Sequence, residues 1–176
     1  MTKLTIGTTV YDDYDGLYFT IQSIRLNNPE LLERIEFVVI NNNPTSTNGK
    51  EIHKFIEWIE EPVTYLEFSK YNSPFLKGKV FDLAETEYVL VLDCHVLLDP
   101  GSLTKLLEFY DLRKDKGNFL QGPLVYDNMK GISTHFDLSK WGSHMWGAWA
   151  TDNRGIDKNG EPFEIPAQGM GLFSCR

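Results

Sequence analysis

Tyr88-Val89-Leu90-Val91-Leu92-Asp93-Cys94-His95 is an apolar run that ends abruptly in an acid, with a histidine two residues further on. The run Val89–Leu92 is short, rich in β-branched residues and continuously apolar, as a strand buried on both faces is. Side chains two apart on a strand point the same way. Read as one strand, the segment therefore projects Asp93 and His95 to one side and Cys94 to the other, which assigns Cys94 to packing. A carboxylate and an imidazole side by side at the end of a buried strand can grip one divalent cation. The crevice beyond the carboxyl ends of the strands is where open α/β sheets bind ligands.

The same alternation of strand and helix extends outward from this segment. Leu4–Val10 reads as a first strand, and Asp12, Asp13 and Asp15 then offer helix caps. Leu17, Ile21 and Ile24 recur at helical spacing up to about Asn27, where Asn28-Pro29 closes the helix. Ile35–Ile40 is a second strand ending in Asn41-Asn42-Asn43-Pro44. Ile52, Phe55, Ile56 and Ile59 form the stripe of a second helix. Val63–Phe68 is a third strand, and Val80, Phe81 and Ala84 mark a short helix. Leu103, Leu106, Leu107 and Tyr110 line one face of a further helix after Asp99-Pro100-Gly101-Ser102. Phe119–Tyr126 is expected to be a fifth strand.

Strands that alternate with helices imply βαβ units and a parallel sheet. The loops Thr8–Asp13, Asn41–Pro44, Ser69–Lys77 and Asp93–Asp99 then lie along one edge and form a composite polar site. Residues 127–166 differ: they are rich in glycine and aromatics and weakly periodic, the pattern of an insert that closes over a ligand. Trp141, Trp146 and Trp149 in it are suited either to stacking on sugar rings or to anchoring the insert.

Composition narrows the class. The chain has 176 residues, which predicts a single domain. Apolar residues make up 41% and charged residues 24%, as in globular proteins. A net charge of −8 argues against a protein that holds nucleic acid over its whole surface. No apolar run is long enough to cross a bilayer, and no secretory leader follows Met1. The two cysteines, Cys94 and Cys175, fit no zinc or redox spacing, so a reducing, cytoplasmic setting is expected. The chain stops directly after an apolar segment at Cys175-Arg176, which reads as a truncation.

Val38-Val39-Ile40-Asn41-Asn42-Asn43-Pro44, Tyr88–His95 with Asp99–Leu103, and Gly169-Met170-Gly171-Leu172-Phe173-Ser174 together resemble glycosyltransferase family 2. That resemblance implies the Rossmann-like GT-A nucleotide-sugar-binding fold, an α/β architecture whose mostly parallel central sheet is flanked by helices. Asp93-Cys94-His95 stands where that fold carries Asp-x-Asp, and is similar to the Asp-x-His of the polypeptide N-acetylgalactosaminyltransferases. By the same resemblance, Thr8, Thr9 and Tyr11 line the base and ribose pocket, and Asn41 or Asn43 contacts the nucleoside. Lys77 faces the diphosphate, and Asp93 and His95 hold Mn²⁺ or Mg²⁺. An imidazole ligand tilts the choice toward Mn²⁺. His144 and His135 are candidates for a third ligand.

The implied reaction is metal-dependent transfer of a sugar from a nucleoside-diphosphate sugar. The acceptor is open among a glycan, a protein, a lipid and modified DNA, and so are the stereochemical outcome and the oligomeric state. The segments that carry the catalytic base in inverting relatives, and Trp-Gly-Gly-Glu in retaining ones, do not occur here. Asp152, after the tryptophan cluster, is the best placed of the acids Asp127, Asp137 and Asp152 to act as a base. A non-catalytic nucleotide-sugar-binding fragment is the alternative. A nucleotidyltransferase is disfavoured, because Thr8–Asp13 is acidic and glycine-poor where such enzymes place a basic, glycine-rich phosphate loop.

Overall fold

The computed structural model describes residues 3–70, 74–113, 119–137, 147–157 and 159–176. The side chains of 74 and 75 are not among those described. Two compact units form: Met1–Phe119 with Ser174–Arg176, and Leu120–Phe173.

In the larger unit, strands β1 (Leu4–Val10), β2 (Ile35–Asn41), β3 (Val63–Glu67) and β4 (Tyr88–Asp93) alternate with helices α1 (Tyr14–Asn27), α2 (Thr47–Trp58) and α3 (Gly78–Leu83). Helix α4 (Ser102–Leu112) follows. The expected strand–helix order is observed throughout this part. β1 pairs in parallel with both β2 and β4, and β2 in parallel with β3. The complete order is β3-β2-β1-β4-β9, where β9 is Leu172–Cys175. β1, β2 and β4 are almost continuously buried, as strands covered on both faces must be.

Register identifies which helix covers which face. Leu4 lies opposite Tyr88, so these two side chains share a face, and the Tyr88 ring stacks on Tyr110 of α4 at 4.6 Å. Gly7 has the opposite parity. A Cβ there would come within 2.0 Å of Val80 Cγ1, so α3 sits almost on the backbone of β1 across the other face. Asp93 is in register with Thr9 and therefore shares the α3 face.

α1 buries Leu17, Thr20, Ile21 and Ile24, the spacing of a helical stripe. Asp13 caps it by accepting a hydrogen bond from Gly16 N at 3.0 Å. α2 is capped by Ser46, which accepts from Gly49 N at 2.8 Å. Gly49 is required for a different reason: a Cβ there would lie 2.0 Å from the Asn43 carbonyl oxygen, so only glycine lets the loop after β2 fold back on α2.

One expectation fails. Of residues 119–126 only Leu124–Val125 forms a strand, β5, beside an isolated bridge at Leu120, and β5 pairs antiparallel with β6 (Ile132–Ser133) in a small separate sheet. The fifth strand of the main sheet is instead β9, drawn from the last apolar segment and fixed by a Tyr110 Oη–Ser174 Oγ hydrogen bond of 2.9 Å. An apolar stretch states that a strand can be buried. It does not state which sheet will bury it.

The smaller unit also holds β7 (His135–Asp137) and β8 (Ala148–Ala150), paired antiparallel. Phe136 packs on Trp149, and Trp149 closes against Gly169. Trp149 thus anchors its unit. Trp141 and Trp146 lie outside the described residues. Among the described residues, no helix is long and apolar enough to cross a membrane.

Gly7→Ala drives a methyl group into the β-branched side chain of Val80, which has little freedom to move aside. The expected loss of stability is about 1–3 kcal/mol, read as a lower midpoint in urea unfolding.

Candidate functional site

β4 ends at Asp93, and residues 94 and 95 form a turn. Strand alternation therefore ends at Asp93 and does not set the directions of Cys94 and His95. This corrects the expectation that Asp93 and His95 emerge as a pair with Cys94 apart. Asp93 forms an ion pair with Lys77 on the α3 face. His95 turns instead to Asp13, its Nδ1 lying 3.1 Å from Asp13 Oδ2. The Cys94 thiol donates to the same oxygen at 3.5 Å and lies 3.9 Å from His95 Nδ1. Ligand-type atoms of Asp13, Cys94 and His95 all fall within 4.8 Å of one another.

The backbone at the end of β1 makes this possible. Asp12 adopts a left-handed conformation, φ 58°, which aspartate tolerates better than most residues. That kink turns the chain from β1 into α1 and leaves Asp13 facing the turn after β4. Asn48 Nδ2 donates to the Asp12 carbonyl at 2.7 Å and fixes the kink.

Burial alone would raise the Asp13 pKa. Hydrogen bonds from His95, Gly16 N and Cys94 outweigh it and hold the carboxyl below its ordinary value. The Cys94 thiol is pushed up to about 12, chiefly by burial and then by the negative charge of Asp13. It is therefore a neutral thiol at physiological pH. Asp13 was legible in the sequence only as a helix cap, and Cys94 only as a packing residue. No spacing rule links residue 13 to residues 94 and 95.

The other candidates separate by burial. Lys77 is 6% exposed, with its ammonium on Asp93, whose side chain is 38% exposed. Lys79 pairs with Asp82 at 3.5 Å. Thr9 is in register with Asp93, and Tyr11 is exposed. Thr8 is buried on the opposite face, and its hydroxyl has no hydrogen-bond partner among the described residues.

Asn41 is a second correction. Its side chain is fully buried: Nδ2 donates to Gly49 O at 3.0 Å and to Tyr65 Oη at 2.8 Å, and Oδ1 accepts from Asn43 N at 3.1 Å. It ties the loop after β2 to α2 and β3 and has no face left for a nucleoside. Asn43 is partly exposed at the loop surface.

In the smaller unit, His135 Nδ1 lies 2.9 Å from Thr134 Oγ1. His144 lies outside the described residues. The Asp152 carboxylate caps the 3-10 turn Asn153–Gly155 and pairs with Arg154 at 2.8 Å. Hydrogen bonds from the Arg154 side chain and backbone lower its pKa to about 2. A carboxylate held so acidic is a poor proton acceptor at neutral pH, so the base role expected of Asp152 is not carried forward.

A parallel sheet with polar loops gathered at the carboxyl ends of β1, β2 and β4 defines a Rossmann-like α/β protein. The chain belongs to glycosyl transferase family 2, whose family model matches residues 5–174. No curated protein matches it.

Among solved structures it is similar to TarS 1-349 of S. aureus, at 17% identity and TM-score 0.61, over 77% of this chain and 39% of that one. It is similar to the same protein in complex with UDP-GlcNAc, at 18% identity and TM-score 0.54, over 79% and 41%. The mannosyltransferase PcManGT from Pyrobaculum calidifontis, in complex with GDP-Man and Mn²⁺, matches at 14% identity and TM-score 0.54, over 61% and 32%. At these identities the likeness shows the fold alone. The chain spans less than half the length of each of these structures.

Two outcomes follow. Asn41→Ala leaves the Gly49 carbonyl, Tyr65 hydroxyl and Asn43 amide short of partners, and costs about 1–3 kcal/mol in chemical unfolding. The Asp152 carboxyl titrates near pH 2 by NMR and returns toward 3.8 in Arg154→Ala. Because its folded pKa is depressed, its stabilising contribution is complete above about pH 4 and fades as pH falls toward 2.

Proposed function

We propose that the chain binds a nucleoside-diphosphate sugar through a divalent cation and carries the donor half of a sugar-transfer site. The observation that supports this most directly is a pair of contacts at the ends of β1 and β4, Lys77 on Asp93 and Asp13 on His95. The donor set fits a hard or borderline cation. Asp93 Oδ1 is taken by Lys77, while Oδ2 has no hydrogen bond among the described residues. His95 directs Nδ1 to Asp13 and leaves Nε2 without one. A carboxylate that orients an imidazole through its second nitrogen is a common arrangement behind a histidine metal ligand.

In this reading Asp93 and His95 hold Mn²⁺, or less favourably Mg²⁺, with diphosphate oxygens and water completing the set. A cation there would neutralise the charge that grows on the diphosphate as the sugar departs. Lys77 holds the Asp93 carboxylate in place and keeps positive charge beside the diphosphate. Asp13 fixes the ring of His95. Thr9, Tyr11 and Asn43 are the groups at the loop surface available to the nucleoside. UDP-GlcNAc and GDP-Man, the donors seen in the similar structures, are the first to test. The two free cysteines accord with a reducing compartment such as the cytoplasm.

A donor-binding module without transfer activity is the second reading. It is favoured by Asp152, the acid offered as base, being tied to Arg154.

Calorimetry of UDP and GDP with and without Mn²⁺ tests the donor site. At least one nucleotide binds only with Mn²⁺, and Asp93→Ala weakens that binding by about tenfold or more. Nucleotide binding indifferent to both Mn²⁺ and Asp93 overturns the reading. Slow release of free sugar from the donor distinguishes a working transfer site from a binding module.

A further inference from the structure

Asp13, Cys94 and His95 form a cluster that a diphosphate-bound Mn²⁺ does not explain, because such a cation has no use for a thiol. The three ligand atoms stand 3.1, 3.5 and 3.9 Å apart. Zn²⁺ bonds of about 2.0–2.2 Å to carboxylate oxygen, 2.0–2.1 Å to imidazole and 2.3 Å to thiolate, at tetrahedral angles, separate O from N by about 3.3 Å, O from S by about 3.5 Å and N from S by about 3.6 Å. The observed triangle matches these separations to within a few tenths of an ångström. The circle through the three atoms has a radius of about 2.1 Å, so one point lies at bonding distance from all of them without rearrangement.

We propose that Asp13 Oδ2, Cys94 Sγ and His95 Nδ1 form a site for a borderline-soft divalent cation of the Zn²⁺ type, with a fourth position open to water or ligand. Two elements supply the pieces: the cap of α1 and the turn that follows β4. Asp13 is held from behind by Gly16 N on its other oxygen, which leaves Oδ2 aimed at the thiol and the ring. Cys94 is buried, and the His95 side chain is 64% exposed, so the cluster has a closed sulfur side and an open imidazole side. Binding sends the thiol proton to the buffer, moves the imidazole proton from Nδ1 to Nε2 and so frees Nδ1 from its hydrogen bond with Asp13. With Nε2 protonated, His95 serves this ion in place of a diphosphate-bound one, so the two ions compete for the ring.

Co²⁺ replaces Zn²⁺ and reports sulfur ligation directly. The test adds Co²⁺ to the full chain, stripped of metal by a chelator and kept reduced by a phosphine. One equivalent is expected to give a thiolate-to-cobalt charge-transfer band in the near ultraviolet with intense visible bands of a tetrahedral ion, both abolished by Zn²⁺. Cys94→Ser removes the charge-transfer band and Cys175→Ser preserves it. His95→Ala, on an exposed side chain and so the safer variant for folding, weakens Co²⁺ binding by about tenfold or more. A charge-transfer band that is absent from the wild-type protein, that survives Cys94→Ser, or that is lost with Cys175→Ser overturns the proposal. The readout is independent of the donor reading, since Asp93 and His95 holding a diphosphate-bound cation would produce no sulfur band.

Discussion

The parallel ladder between β1 and β4 stops at the pair Thr9–Asp93, and the site takes its form from that point. Up to Asp93 every side chain has its direction set by the pleat and its burial set by two covered faces. Past it the chain turns, and direction is set by whatever partner lies nearest. Asp93 is the last residue under the first regime and His95 belongs to the second. That one change of regime separates two groups that spacing alone would join.

Each of the two carboxylates at this edge has its own cationic or hydrogen-bonding partner. Asp93 carries the buried ammonium of Lys77, delivered from the short 3-10 turn ahead of α3. A lysine so covered depends on its carboxylate, because a buried charge left without a partner is costly. Asp13 works at three tasks: it caps α1, orients His95 and accepts from Cys94. Its location depends on the left-handed Asp12, a local strain that the fold sustains where strand gives way to helix. A left-handed aspartate, a half-buried ion pair and a thiol close to an imidazole all fall within one stretch of the sheet edge.

The loop after β2 illustrates the opposite use of polar residues. Asn41 is polar, placed at a strand's carboxyl end, and yet wholly structural, because three backbone and side-chain groups use its amide. Gly49 permits the close approach that lets it do so. Asp152 is similar in kind: an acid whose partner, Arg154, lies two residues away and absorbs it into a turn. Polar residues at strand ends are divided between supporting a loop and meeting a ligand, and only their hydrogen bonds tell which.

Hydrophobic period determined the four parallel strands and four helices of the larger unit, because burial on two faces or on one stripe is written directly into residue order. It also placed the polar loops on one edge, since parallel strands joined by helices must all end there. The final segment was recognisable only as apolar, and residues 119–126 were not recognisable as a brief hairpin arm, because a strand's partner is a long-range property. Only tertiary structure brought Asp13 to Cys94 and His95 across eighty residues, paired Lys77 with Asp93, and buried Asn41. The physical reason is that local sequence specifies direction and burial within an element, while contact between elements depends on where each ends and how the chain turns next.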